Sequence, residues 1–367
     1  MNYENIEDLM QITVERNASD LHIKTGSPPS IRLSGGELVS IEEDMPALTG
    51  KDTEHLINQI MYESDKETFP EKKELDFAYD YTEEHRFRVN VFIQQGTMGA
   101  VLRVIPVEIR SIDDWGLPEL LKDLAMKNRG FVLVTGPTGF GKSTTLAAII
   151  DYINTHRRSH IVTLEDPIEF IFKDKMSRIT QREVGHDTNS FGDALGRVMR
   201  QDPDVIMVGE MRDYQTIGTA ITAAETGHLV FSTLHTNSAA ETIDRIIDVF
   251  PPYQQPQIRV QLALTIEAVL CQTLVPKKNG IGRVASFEIM LGTPAISNLI
   301  RENETHQIIN VIQTRKDMGM QTRDQDLRSL YERGIISLDT AIAYATHPDE
   351  LKRSMSWTDM RSPIEAR

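Results

Sequence analysis

Phe131-Val132-Leu133-Val134-Thr135-Gly136-Pro137-Thr138-Gly139-Phe140-Gly141-Lys142-Ser143-Thr144-Thr145 is the stretch that sets the fold class. Its opening apolar and β-branched residues predict a buried strand. A glycine-rich turn follows, and Leu146, Ile149, Ile150 and Ile153 then recur at helical spacing. From Gly136 to Ser143 the turn fits G-x-x-x-x-G-K-[ST], in the strand–loop–helix setting that a phosphate-binding loop requires. Gly136, Gly139 and Gly141 allow backbone N–H groups to curl around phosphate oxygens with no Cβ in the way. The new helix adds its N-terminal partial charge. Lys142 is placed to reach the β- and γ-phosphates, and the Ser143 hydroxyl to ligand Mg²⁺. The nine residues from Gly136 through Pro137, Thr138, Gly139, Phe140, Gly141, Lys142 and Ser143 to Thr144 are therefore the expected contacts of a nucleoside triphosphate.

At 367 residues the chain is too long for one unit, and two domains are expected. Hydrophobic content of 40% and charged content of 25% place it among ordinary globular proteins. No apolar run approaches the length of a membrane span, and Met1-Asn2-Tyr3-Glu4 shows no leader pattern, so a cytoplasmic setting is expected. The single cysteine, Cys271, excludes an intramolecular disulfide and a multi-cysteine zinc site, and is read as a small core residue. A net charge of −15 disfavours a broad phosphate-neutralising surface, so no nucleic-acid partner is expected.

Residues 1–110 read as a smaller α/β domain. Ile6, Leu9, Met10 and Val14 mark an amphipathic helix. Leu21-His22-Ile23 and Ile31-Arg32-Leu33 are short strands about a Gly26-Ser27-Pro28-Pro29 turn, and a second helical pattern covers Thr53 to Tyr62. In Arg86-Phe87-Arg88-Val89-Asn90-Val91-Phe92-Ile93 the apolar residues alternate with polar ones, the period of a half-buried strand. A hairpin loop centred on Gln94-Gln95-Gly96-Thr97 pairs it with Gly99 to Ile105, so that Arg88 faces Arg103. Two like charges opposite each other are destabilising; either they splay into solvent or they grip a phosphate or carboxylate.

Pro106 to Pro118 breaks both periodicities, with 111–118 an interdomain linker. A helix from Glu119 to Asn128 then opens the second domain, 119–354. Strands and helices alternate from there, predicting a mostly parallel sheet with helices on both faces. His160 to Leu164 ends on Glu165-Asp166-Pro167, and Val205 to Val208 ends on Gly209-Glu210. Leu229 to Leu234 ends on His235-Thr236-Asn237, with His228 just before it. Ligands sit beyond the carboxyl ends of such strands. Glu165 could cap the next segment, but an acid there beside a phosphate loop points to function. Glu210 follows four apolar residues, as a Walker B acid does. His228 alone reads as a core histidine, and with His235 nearby one of the two is a phosphate sensor. Beyond 240 the chain reads mainly helical, including Ala240 to Val249, Pro256 to Leu274 and Ser297 to Arg301. Val284 to Met290 is an edge strand, and 355–367 is a flexible tail without periodicity.

Several motifs stand in order: Gly136 to Thr144, Leu164-Glu165-Asp166-Pro167-Ile168-Glu169, Gln181-Arg182-Glu183-Val184-Gly185, Arg200-Gln201-Asp202-Pro203-Asp204 through Gly209-Glu210, and Gly227-His228-Leu229 through Thr233-Leu234-His235-Thr236-Asn237. With Ala18-Ser19-Asp20-Leu21-His22 and Ala295-Ile296-Ser297-Asn298-Leu299-Ile300-Arg301-Glu302 they cover nearly the whole chain. The set resembles the secretion ATPase superfamily, and most closely its type IV pilus retraction ATPases (PilT/PilU). The resemblance implies a PAS-like N-terminal domain followed by a RecA-like P-loop ATPase domain with a helical C-terminal part. It implies a homo-hexamer that binds ATP with Mg²⁺ between its two domains and drives pilus retraction through an inner-membrane platform protein, beside a second retraction ATPase in some systems. Glu165 would polarise the attacking water, Glu210 would act through Mg²⁺, and His228 would sense the γ-phosphate. Arg88 and Arg103 fall where the superfamily places arginine fingers, with Arg86 a weaker candidate.

Two positions depart from the family pattern, and a third departs only from the generic Walker B pattern, as this superfamily commonly does. Phe140 stands where a small residue is usual, Ser297 replaces a basic residue, and Gly209 stands where generic Walker B segments carry Asp. The alternatives are a pilus extension or secretion ATPase, whose usual four-cysteine zinc module one cysteine cannot build, and an accessory subunit dependent on a partner motor.

Overall fold

The computed structural model describes residues 5–33, 36–42, 45–82, 85–106 and 108–359. The chain forms two units, Met1–Ile109 with Asp166–Phe172, and Arg110–Glu165 with Lys173–Arg367.

The first unit runs α1 (Ile6–Glu15), β1 (Asp20–Ile23), β2 (Ser30–Arg32), β3 (Leu38–Ser40), α2 (Gly50–Asn58), α3 (Glu63–Lys72), β4 (Glu74–Asp80), β5 (His85–Gln94) and β6 (Thr97–Pro106). Asn5 caps α1 by accepting the Glu7 N–H, and Ile6, Leu9 and Met10 are its buried stripe. The six strands form one antiparallel sheet in the order β3-β2-β1-β6-β5-β4. The β5–β6 hairpin turns on Gln95 and Gly96, both at positive φ (49° and 78°), which is what a two-residue type I′ turn needs. That turn fixes the register, and Arg88 faces Arg103. Because side chains alternate across a strand, Ile31, Leu21, Leu102, Val89 and Phe77 line one face as buried core. The partners on the opposite face form a transverse row of Arg32, Asp20, Arg103 and Arg88. The helical pattern over Thr53 to Tyr62 is shorter than expected: α2 stops at Asn58 and α3 starts at Glu63. Helix α3 carries little sequence signal. In ESDKETFPEK only Phe69 is buried, so no apolar stripe announces a helix.

The second unit runs α4 (Leu120–Ala125), β7 (Gly130–Thr135), α5 (Lys142–His156), β8 (His160–Glu165), β9 (Arg178–Glu183), α6 (Phe191–Val198), β10 (Val205–Val208), α7 (Tyr214–Glu225), β11 (Leu229–Leu234), α8 (Ala239–Asp248), α9 (Gln255–Thr265), β12 (Ile266–Pro276) and β13 (Arg283–Leu291). Helices α10 (Pro294–Arg301), α11 (Ile308–Thr314), α12 (Arg323–Glu332), α13 (Leu338–Tyr344) and α14 (Pro348–Asp359) complete it. Its sheet has the order β13-β12-β7-β11-β10-β8-β9, parallel throughout except for antiparallel β13 at the edge. Strands β7, β10 and β11 are buried along their whole length, as strands covered on both faces must be.

The helix expected over Pro256 to Leu274 is corrected here. Helix α9 ends at Thr265, and Ile266 to Pro276 is a strand between β7 and β13. Ala268 to Thr273 are buried without interruption, so no alternation was visible; a run buried on both faces carries the same apolar signature in a strand as in a helix. The tail expected from 355 is also shortened, since α14 extends to Asp359 and Met355 packs with Leu327, Leu330, Ile336 and Leu351. Residues 360–367 lie outside the described residues. Among the described residues no helix is long and apolar enough to cross a membrane.

Gly292, just after β13, places its backbone where a Cβ would come within 1.9 Å of the Ile266 carbonyl oxygen. Gly292→Ala is expected to cost about 1–3 kcal/mol, the range for overpacked sites. A thermal melt indistinguishable from wild type would contradict this close approach of β13 to β12.

Candidate nucleotide site

The turn after β7 is shaped by its surroundings as much as by its own glycines. A Cβ on Gly136 (φ 141°) would lie 2.3 Å from the Gln272 carbonyl oxygen on β12. Gly139 and Gly141 sit at φ 79° and 78°, and a Cβ on Gly141 would press on the Gln272 amide at 3.1 Å. That amide donates to the Phe140 carbonyl (2.8 Å), while its oxygen accepts from the Thr145 hydroxyl (2.7 Å). One buried side chain thus ties the loop to the first turn of α5. Gln272 is a site residue the sequence did not mark, because its partners lie more than a hundred residues away in the chain.

Lys142 opens α5 and is nearly buried. Its ammonium donates to the carbonyls of Gly136 (2.7 Å) and Pro137 (3.1 Å), and lies 3.3 Å from His235 Nδ1. An ammonium has no acceptor, so Nδ1 must accept and the imidazole carries its proton on Nε2. Nε2 in turn reaches Glu210 Oε1 at 2.9 Å. The second Glu210 oxygen accepts from Arg212 (2.8 Å). Burial pushes the Glu210 carboxyl up, but the Arg212 hydrogen bond and the neighbouring His235 outweigh it, holding the pKa below the ordinary value of 4.5. Lys142, His235 and Glu210 form one continuous polar chain at the carboxyl ends of β11 and β10.

Glu165, the last residue of β8, is buried and accepts from Thr163 (2.7 Å) and Gln181 (3.1 Å). Gly209 donates to the Leu164 carbonyl at 2.7 Å, and a Cβ there would stand 3.2 Å from that same oxygen. The absence of an aspartate at 209 therefore goes with the close approach of β10 to β8 that sets Glu210 beside the end of the Glu165 strand. Ser143, exposed in the first turn of α5, and Glu210 are hard oxygen donors of the kind Mg²⁺ takes together with phosphate oxygens. The positive-φ glycines and the helix N-terminus likewise suit a triphosphate. Nothing in the structure explains the aromatic side chain of Phe140.

His228 is not part of this cluster. It precedes β11, whose six residues put roughly 20 Å between the strand's two ends. There its Nδ1 lies 2.9 Å from the Ala223 carbonyl and 3.3 Å from the Thr226 hydroxyl, fastening the turn between α7 and β11. The histidine at the phosphate loop is His235.

In the first unit, the facing arginines grip carboxylates, one of the outcomes expected of them. Arg103 Nε pairs with the buried Asp20 carboxylate at 2.9 Å, and Asp20 also accepts from Ser19 (2.7 Å). Arg88 reaches Glu169 at 3.3 Å and Asp76 at 3.9 Å, and Arg86 reaches Asp80 at 3.2 Å. The like charges are balanced by carboxylates of the unit itself, so their pairing does not by itself call for an external anion.

Residues 3–342 match the model of the type II/IV secretion system protein family. The type IV pilus retraction ATPase PilT of Pseudomonas aeruginosa is 48% identical over 344 residues, 94% of this chain and 99% of its own. The chain belongs to the type IV pilus retraction ATPases. PilU, a type IV pilus ATPase of the same organism, is 41% identical over 94% of this chain and 90% of its own. A crystal structure of the pilus retraction motor PilT with bound ADP superposes with a TM-score of 0.88 at 44% identity, covering 95% of this chain and 99% of that one. The antiparallel first sheet and the mostly parallel ATPase sheet are the fold of that retraction ATPase.

Gln272→Leu keeps the volume but leaves the Phe140 carbonyl and Thr145 hydroxyl without their partner. A loss of about 1–3 kcal/mol in denaturant unfolding is expected, together with weaker ATP binding. ATP affinity equal to wild type would separate Gln272 from the loop. Because the Glu210 carboxyl is held low, its contribution to stability is complete at neutral pH and is lost as the pH falls below 4.5 through its folded value. The Tm gap between wild type and Glu210→Gln should accordingly close on acidification; a gap that widens would refute the assignment.

Proposed function

We propose that this ATPase is the motor of type IV pilus retraction, working as a homo-hexamer at the cytoplasmic face of the inner membrane. It passes force to the pilus platform protein and, where a second retraction ATPase exists, works beside it. The polar chain from Lys142 through His235 to Glu210, set on the phosphate loop, is the observation that supports ATP hydrolysis as the source of its force.

Lys142, drawn from the loop carbonyls, meets the β- and γ-phosphate oxygens, and backbone N–H groups from Gly136 to Thr144 surround them. Ser143 and Glu210 hold Mg²⁺, which supplies charge neutralisation on the transferring phosphoryl group. Glu165, buried at its strand end, orients and polarises the attacking water. His235, rather than His228, senses the γ-phosphate: its Nδ1 is shared with Lys142 and its Nε2 with Glu210, so a change at Lys142 reaches Glu210 through one ring. Arg88 and Arg103 would donate to phosphate oxygens as negative charge develops, exchanging Glu169 and Asp20 for phosphate. The near full-length identity to PilT favours retraction over extension.

Replacing the native protein with Lys142→Ala should lower turnover by at least about 100-fold, on the scale of removing one stabilising donor. The cells should carry excess pili that never shorten. Bald cells would assign the chain to extension. Unchanged pili would make it an accessory subunit of a partner motor.

A further inference from the structure

Between β11 and α8 the chain passes through Thr236, Asn237 and Ser238, and this short segment is fastened from several sides. Within it, Asn237 N–H donates to Glu241 (2.9 Å), and Thr242 bonds both the Thr236 hydroxyl and the Ser238 carbonyl (2.7 Å each). Two further anchors come from distant elements. Ala239 N–H donates to Glu288 Oε1 on β13 at 2.7 Å, and Arg323 at the start of α12 donates to the Asn237 carbonyl.

Glu288 is an unusual residue for its place. It lies between Phe287 and Ile289, opposite Cys271, all of them buried. Burial pushes its carboxyl up, while the Ala239 N–H and the charge of Arg323 pull it back. A carboxyl group in such a place is costly unless it is bonded. The backbone at 287 is itself fixed from α12, since Asp326 accepts the Phe287 N–H (2.8 Å) and Gln321 donates to the Phe287 carbonyl (3.1 Å). The start of α12 therefore holds both the loop and the strand residue beside Glu288. The His235 ring has three contacts, to the Thr138 hydroxyl (3.4 Å), Lys142 (3.3 Å) and Glu210 (2.9 Å), and a shift of about 1 Å would carry each beyond hydrogen-bond distance.

We propose that Glu288 and Arg323 are positioning residues for His235: by holding the backbone of 237–239 they keep the imidazole between Lys142 and Glu210. This rests on the role given to His235 above. Both act through the loop, and they tie the helical C-terminal region to the hydrolytic cluster.

The test is steady-state ATP hydrolysis by the full chain carrying Glu288→Leu, Glu288→Gln, His235→Ala, and Glu288→Leu with His235→Ala. Glu288→Leu should lower kcat roughly 10–100-fold, the usual effect of losing an orienting partner, with KM for ATP near wild type. Glu288→Gln should recover most of that, because its amide oxygen still accepts the Ala239 N–H. The double variant should be no slower than His235→Ala alone, since both changes remove the same contact. Wild-type kcat in Glu288→Leu, or losses that multiply in the double variant, would overturn the proposal while leaving His235 in its role. Wild-type kcat in His235→Ala would overturn the role of the histidine, and this inference with it. If melting curves show that Glu288→Leu does not fold, Arg323→Met takes its place in the same cycle, with the same outcomes deciding.

Discussion

The second unit is built around a single close approach: the backbone of Gly136 against the carbonyl of Gln272, where only a hydrogen fits. With it, β7 delivers its turn directly over β12, and the Gln272 side chain can reach both Phe140 and Thr145. The loop is therefore not a floppy glycine-rich segment that a ligand must order. It is a preorganised concavity whose carbonyls already hold Lys142 and whose rim is completed by His235 and Glu210. Preorganised dipoles of this kind are what make phosphoryl transfer fast without covalent help from the protein.

Much of this was legible in the chain. The phosphate loop carries a spacing that few unrelated sequences share, and the β5–β6 register followed from counting across Gln95-Gly96, because side-chain period and turn length leave one solution. Acids at the ends of β8 and β10 could be placed because apolar runs of strand length stop abruptly at Glu165 and Gly209-Glu210.

The rest was hidden for identifiable reasons. Strand β12 is buried on both faces, so its sequence has no period to read. Gln272 and Glu288 act on segments far away in the chain, where no local pattern can point. His228 and His235 look equivalent on paper, yet a six-residue strand separates their surroundings entirely. Asp20 and Glu169 neutralise Arg103 and Arg88 from a neighbouring strand and from the segment after β8. A hairpin read in isolation shows only the two arginines.

That internal pairing has an electrical consequence. Arg32, Arg86, Arg88 and Arg103 share their surroundings with Asp20, Asp76, Asp80 and Glu169, four cations against four anions. Beyond roughly one Debye length, about 8 Å at physiological salt, their fields cancel. The face is silent at a distance, and what a remote anion feels is the net charge of −15 on the whole chain. Such arginines cannot recruit phosphate by long-range attraction. They can act only on an anion delivered to touching distance, where direction and hydrogen-bond geometry, rather than charge alone, decide which partner each guanidinium keeps.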